Sequence, residues 1–531
     1  DIPIFYLPKL SHPDPSVNRR SGFLPPAFSD TKNLGAGISI PYFWAINDDK
    51  NFTITNRVFV DEHPLVIAEY HQAFKNSKFL TDFGYTKGYK NTSEKKKAGS
   101  KSHIFTRFVK SFNDKNSENT LSVSLQEVSD DKYLKLYKIK SDLVDYSTST
   151  LVNSVDFTKD DENIFLGFNA SIYETLKDEY NDKYEYILPE ITINKELFSN
   201  EKLGIVDFQT NLKVHKYDTN KSTHFLINDF DLSSNDIYHD IGLKSKFLGN
   251  IKNINYETKN VALFKKDTTS EIFGAIGYLS EINFRKNKND ATHLLKPKML
   301  IRYSPGSMRK ETEGSKLDPV GAFSMDRLNN SNNFETGLST TIGFDYKVKQ
   351  YNRELDFSVA QIINEKENKK MASKTSLDEK ISDLVGSTKY KLNENVSLNY
   401  NFSLDQNYNQ LNYNEFGAML DLNPIKVNFN YLKESEHIGN QEYFNTKINL
   451  ANNESGLLSF ETKRNLITSS SEFYNLSYEY VNDCLRAGLV YRREFYNDSE
   501  LEPENSLMFK ITLTPFGDVN SPSFIQWEKI F

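Results

Sequence analysis

Hydrophobic and polar residues alternate along most of this chain. In VSLNYNFSL, Val396, Leu398, Tyr400, Phe402 and Leu404 fall on one face, and Ser397, Asn399, Asn401 and Ser403 on the other. In IKVNFNY, Ile425, Val427, Phe429 and Tyr431 oppose Lys426, Asn428 and Asn430. In LMFKITLTP, Leu507, Phe509, Ile511, Leu513 and Pro515 form the apolar face. A period of two is the signature of a β-strand with one polar side. Similar segments of about 9–13 residues recur from residue 35 to 517, separated by clusters such as NDDKN, FNDKNSEN, KLNEN and NDSELEPEN. No amphipathic helix longer than a few turns and no Pro- or Gly-rich linker interrupts them, so the pattern predicts one long antiparallel meander. NTSEKKKAGSK (91–101) and NEKENKKMASK (364–374) are polar breaks that read as loops, because charge runs usually mark solvated segments.

Many half-polar strands fit either a string of soluble β-sandwiches or one transmembrane barrel with a wet lumen. Strands near the roughly 9–11 residues of a tilted membrane span favour the barrel, as does a polar face that persists throughout. Sandwich strands are commonly nearer 5–6 residues, and a series of such domains needs linkers. Composition sharpens the choice. Of 531 residues only 38% are hydrophobic, yet 13% are aromatic, with 38 Phe and 30 Tyr. Disordered chains are poor in aromatics, whereas barrels use them as girdles at both membrane interfaces. The net charge of −7 is spread without a basic stripe, which argues against nucleic acid as a partner. No run approaches a spanning helix and no signal peptide opens the chain, which starts at Asp1 rather than Met and so reads as processed or truncated.

The stretch NDCLRAGLVYRREFYND (482–498) sets a direction. Leu485, Ala487, Leu489 and Tyr491 alternate with Arg486, Gly488, Val490 and Arg492, placing the first set toward lipid and the second toward the lumen. Arg493, among Tyr491, Phe495 and Tyr496, marks the strand leaving the membrane, since arginine is tolerated at the bilayer edge and not at its midplane. With an even strand number and both ends periplasmic, this strand runs outward and Cys484, the only cysteine, stands at its periplasmic foot. It is either an inert thiol or half of a disulfide to a cysteine outside this sequence.

FYLPKLSHPDPSVNRRSGFLPPAF (5–28), SIPYFWAI (39–46), VSDDKYL (128–134), KPKMLIRYSPG (296–306), ISDLVG (381–386) and the 482–498 stretch together resemble the LptD (Imp/OstA) family of lipopolysaccharide-assembly proteins, in family order from end to end. The resemblance implies an all-β protein: a large antiparallel transmembrane β-barrel of about 26 strands over residues 21–531, preceded in residues 1–20 by the last strand of a periplasmic jelly-roll domain and its hinge. It implies a location in the outer membrane of a Gram-negative bacterium with periplasmic termini. Lipopolysaccharide is the implied substrate, the lipoprotein LptE a plug in the lumen, and LptA a periplasmic bridge docking on the missing N-terminal domain. Well-studied members carry two adjacent cysteines near the C-terminal motif. Here Cys484 stands alone, so any disulfide pattern is simpler.

Prolines carry the mechanistic expectation. Proline removes a ladder donor and belongs on an edge, which a closed barrel does not nominally have. The resemblance places Pro26 and Pro41 at a lateral gate, where first and last strands part to release lipid sideways. The blander alternative puts Pro25 and Pro26 ahead of the first strand and Pro41 at a bulge; Pro297 is expected at a local bulge. Arg19 and Arg20 either steer lipid A phosphates or form ordinary hinge ion pairs. The loop around Lys95 to Lys97 is expected outside the cell. The nine histidines show no metal spacing, no nucleophile elbow appears, and neither catalysis nor a cofactor or metal is expected. The alternative function is a passive, porin-like diffusion channel with the same polar lumen.

Overall fold

The computed structural model describes residues 20–513, apart from 93–95, 97, 115, 144, 177–181, 289, 313, 315, 329, 453–455, 468–469, 482–484 and 495–503. Its strands form one continuous 29-stranded antiparallel sheet. Three of them, Gly22–Phe23, Ile237–Tyr238 and Phe284–Lys288, are short continuations of a neighbouring strand beyond a break. The remaining 26 make a closed wall, because the first, Ala27–Thr31, pairs with the last, Glu504–Leu513. The barrel expected from the sequence is therefore the architecture found. Apart from two 3-10 turns, the helical structure among the described residues is the four-residue segment Tyr133–Leu136.

Closure explains why a period of two suffices to specify the fold. A strand in a closed wall turns alternate residues toward the lumen and the others outward. In the second strand, Gly35–Asn47, Pro41 and Phe43 are buried while Ile40, Tyr42 and Trp44 are exposed. In Leu485–Glu494, Val490 is buried whereas Leu489 and Tyr491 are exposed, matching the two faces read from the sequence. An outward apolar face around a closed sheet is what a membrane barrel presents; among the described residues no helix is long and apolar enough to cross a membrane.

The two ends of the barrel differ. At one end strands join through short links such as 48–49, 162–163, 351–352, 394–395 and 423–424; at the other lie 87–100, 129–149, 305–336 and 365–383. The first strand rises from the short-link end and the last descends to it. Pro297 departs from the expected bulge. Pairing of Ala291–Ser304 with the preceding strand stops at Lys298↔Glu281 and resumes at Leu295↔Phe284 in the same register, so bonds are lost without an inserted residue. Its other side runs unbroken, through Pro297↔Phe344.

Candidate functional site

The seam between first and last strands is the narrowest pairing in the wall. Ala27–Thr31 meets Lys510–Ser506, five residues on each side, and pairing then ceases although the last strand continues to Leu513. Continuing that register would bring Pro26, Pro25 and Leu24 opposite Ile511, Thr512 and Leu513. Neither proline has an N–H to offer, and the N–H of Leu24 is already given to the Pro41 carbonyl at 2.9 Å, on the other side. The first strand is thus split by its prolines into Gly22–Phe23 and Ala27–Thr31. Both pieces lie on the second strand, at Phe23↔Tyr42 and Ala27↔Ser39, with one extra residue on the first-strand side. That is a bulge at Pro25–Pro26. It lies opposite Pro41, so the expected bulge is on the facing strand.

Pro41 weakens the same place from the other side. In an antiparallel ladder a residue that accepts from a neighbour also donates to it. Pro41 accepts from Leu24 and has no N–H with which to reciprocate. Pro26 and Pro41 therefore come together across one pair of strands. Arg20 is exposed just before the first strand. Arg19 and Cys484 lie outside the described residues, as do Lys95 and Lys97, while the ammonium of Lys96 stands 5.3 Å from the Tyr89 ring centroid.

The lumen is roofed at the long-loop end, which alternation along the strands did not predict. Loop 129–149 turns inward so that Tyr133, Leu134, Leu136, Tyr137 and Ile139 form one core with inward wall residues such as Phe59, Leu65 and Phe105. Loops 305–336 and 365–383 pack Met308, Leu317, Met371 and Leu377 against Ala360, Ile362 and Val385. Phe334 joins Phe225, Ile254, Tyr256 and Phe273 of the wall in a third cluster. These clusters add buried apolar side chains at the mouth of a lumen whose strand faces alternate with polar residues.

Buried polar ties anchor each roof loop. Arg302 donates from Nε to the Met325 carbonyl at 2.6 Å and from Nη2 to that of Glu335. Arg327 holds the Glu335 carboxylate through both Nε and Nη2, and donates to Ser339 Oγ at 3.0 Å. Burial alone would raise the Glu335 carboxyl, but the Arg327 and Arg302 guanidiniums outweigh it and hold the group below its ordinary pKa. Asp383 accepts from Ser403 Oγ at 2.6 Å, His437 Nε2 at 3.0 Å and Asn412 Nδ2 at 3.1 Å, tying loop 365–383 to two strands and a neighbouring loop. Under loop 129–149, His103 contacts Tyr133 Oη through Nδ1 and Asp82 Oδ1 through Nε2, each at 3.0 Å. Burial, with the Asp82 charge adding to it against Arg57, raises the Tyr133 phenol and keeps it protonated. Scattered in sequence, His103 and His437 gave no signal as histidines. The available signal was that Tyr133, Arg302 and Asp383 sit inside three of the segments that carry the resemblance. Among the described residues no group of three or more His, Cys, Asp or Glu is placed to hold a metal ion.

The family model described as LptD, LPS transport system D, matches residues 102–465, more than half of the chain. The chain belongs to the LptD family. It is 22% identical over 394 residues to the LPS-assembly protein LptD of Pseudoalteromonas translucida, a match covering 68% of this chain and 49% of that protein. The LPS-assembly protein LptD of Nitrosococcus oceani is 41% identical over 69 residues, covering 13% of this chain and 9% of its own length. The chain thus spans about half, or less, of these relatives. Among solved structures, the FrpB iron transporter from Neisseria meningitidis aligns over 93% of this chain and 81% of its own, at 8% identity and a TM-score of 0.38. The matched region of the LptD family model contains all three roof loops that carry buried ties, and the seam strands flank it.

Proposed function

We propose that this chain is the barrel of a lipopolysaccharide translocon of the Gram-negative outer membrane, and that its product leaves sideways between the first and last strands at Pro26 and Pro41. The observation that carries this reading is the five-residue seam that ends at Pro25 and Pro26 of the first strand, with Pro41 facing that break from the second strand. The chemistry of the substrate demands such an opening. Acyl chains resist an aqueous lumen at about 0.8 kcal/mol per methylene, and phosphorylated sugars resist hydrocarbon. A slit lets the glycan move through the interior while the chains remain in lipid. The short-link end is periplasmic in this reading, following the short-turn, long-loop asymmetry of outer-membrane barrels, and both described ends lie there. LptE fills the lumen from that side, and LptA delivers substrate to a domain N-terminal to this sequence. Arg20, with Arg19, stands where incoming lipid phosphates would pass. The barrel acts as a conduit and performs no catalysis.

A passive diffusion channel would use the same wall, but needs neither paired prolines nor an apolar roof across the mouth. The deciding experiment places a photoreactive residue at outward-facing Phe28 or at Ser39 in the full-length protein and tests for ATP-dependent crosslinks to lipopolysaccharide in a reconstituted system. Crosslinks that require transport energy and LptE support lateral export. With assembly and ATPase activity verified, labelling at a different strand pair relocates the gate, and labelling at none returns the reading to a channel.

A further inference from the structure

The core beneath loop 129–149 contains Leu34, which belongs to the turn 32–34 joining the first two strands. That hairpin is the first-strand side of the seam. Leu34 also donates its N–H to Thr31 Oγ1 at 3.2 Å, binding it to the top of the first strand. One core therefore holds both the roof loop and the seam hairpin.

The polar part of that core is built across successive strands. Arg57, Glu69, Asp82 and His103 point inward and are buried, one from each of Lys50–Phe59, Leu65–Ala73, Ser77–Thr86 and Lys101–Ser111. Arg57 donates to the Tyr137 carbonyl at 3.0 Å, at the end of the loop helix. Tyr133 bonds His103, which bonds Asp82. Gly84 leaves the room for this chain. A Cβ there would stand closer than van der Waals contact to the His103 ring and 2.7 Å from Tyr133 Oη. The network is also incomplete, since Arg57 Nε and Asp82 Oδ2 are buried without hydrogen-bond partners.

We propose that Tyr133, His103 and Asp82 are positioning residues that latch loop 129–149 to the wall, and that through Leu34 this latch holds the seam closed, so that roof and seam open together. The inference rests on the lateral-export reading for its purpose, while its test reads the seam directly.

The measurement is the rate at which a Ser29→Cys, Met508→Cys pair oxidises in the full-length, LptE-assembled protein carrying Cys484→Ser; these two residues face each other across the seam. Tyr133→Phe removes one hydroxyl at nearly constant shape, and Gly84→Ala drives the same contact apart from the wall side. Both are expected to slow seam oxidation several-fold and to speed tryptic cleavage within 129–149. His103→Gln, which retains a donor and an acceptor, is expected to restore most of the rate lost in a His103→Ala protein. Asp383→Asn, which loosens roof loop 365–383 away from the seam, should leave the rate unchanged. A purely structural role would lower heat stability in all of these without moving the seam rate. If the loop is released yet seam oxidation stays within twofold of the parent, or if neither variant releases the loop, the latch is refuted. If the Ser29–Met508 disulfide fails to stop lipopolysaccharide delivery, the export reading falls instead, whatever the latch does.

Discussion

Two pairs of strands show what the wall can do and what the seam gives up. Thr150–Asp161 and Ile164–Thr175 pair residue for residue from Ile164↔Asp161 to Thr175↔Thr150, twelve on each strand, with no break in register. Ala27–Thr31 and the last strand share five, and the next positions on the first strand are prolines. Both surround the same lumen and both face lipid. In hydrocarbon an unsatisfied backbone group costs several kcal/mol, so a barrel gains by pairing every residue it can. A pair that stops early, where prolines delete the donors of its first strand, is poised between closed and open. The difference teaches that closure of this barrel is complete in topology and uneven in strength.

The largest effect should come from removing that unevenness covalently. A Ser29–Met508 disulfide, in a Cys484→Ser background, is expected to abolish delivery of lipopolysaccharide to the outer surface, and reduction should restore it. The matching staple at Ser154 and Ser171, paired across the strong wall, should leave delivery near the parent level. Equal inhibition by both staples, measured by surface labelling of newly made lipopolysaccharide, would erase the contrast.

Next comes the roof, where the expected loss is in folding. Arg327→Met leaves the Glu335 carboxylate buried without its main partner, and breaking a buried pair of this kind typically costs about 3–5 kcal/mol. Loop 305–336 should become protease-sensitive and the pore should conduct ions. The seam staple should still form, since this loop lies on strands remote from it. Conductance that stays at the parent level after the loop is cut would show that the roof does not seal the mouth.

The alternation of VSLNYNFSL and its counterparts was enough to predict the wall, because in a closed sheet each side chain has only two places to go. That the first two strands carry prolines was legible in GFLPPAF and SIPYFW, though which strand carried the bulge was not. Bulge position depends on register between strands, and no single strand records it. The roof was hidden for a different reason. Tyr133, Glu335 and Asp383 lie in loops, where burial depends on which way the loop turns, and their partners His103, Arg302 and His437 are about 30 to 50 residues away. A wet lumen was the natural reading of polar strand faces; at the mouth the loops supply the apolar surface instead.

A smaller effect is expected when the missing donors beside the seam, on the first and second strands, are restored. Pro26→Ala and Pro41→Ala each return one N–H. A typical hydrogen bond adds about 0.5–1.5 kcal/mol, which shifts a closed–open balance roughly 2- to 12-fold. The double variant should therefore slow delivery several-fold while raising the oxidation rate of the Ser29–Met508 cysteine pair. Pro297→Ala is the control, because Pro297 also faces interrupted pairing but on the far wall. If it slowed delivery equally, proline content in general would be at work, and the seam would lose its distinction.

The smallest effect is a pH dependence confined to the roof. Burial opposes charging of His437, but its hydrogen bond to Asp383 and the charges of Asp383, Glu379 and Asp378 outweigh burial and raise its pKa above the ordinary value. The sign follows from linkage. A histidine raised in the folded state contributes stability that is fully present below its unfolded value of about 6.5 and is lost as pH rises through the folded value. Loop 365–383 should therefore be held most firmly in mild acid and become more readily cleaved by protease as pH rises above about 6.5 through the raised folded value. His437→Gln should flatten that profile, because its amide still donates to Asp383 but does not titrate. Oxidation at the seam, corrected for thiol ionisation with the Ser154–Ser171 cysteine pair as reference, should show no matching step. A step at the seam that disappears in His437→Gln would mean that the distant roof loop also reaches the first and last strands, and the two regions would have to be treated as one.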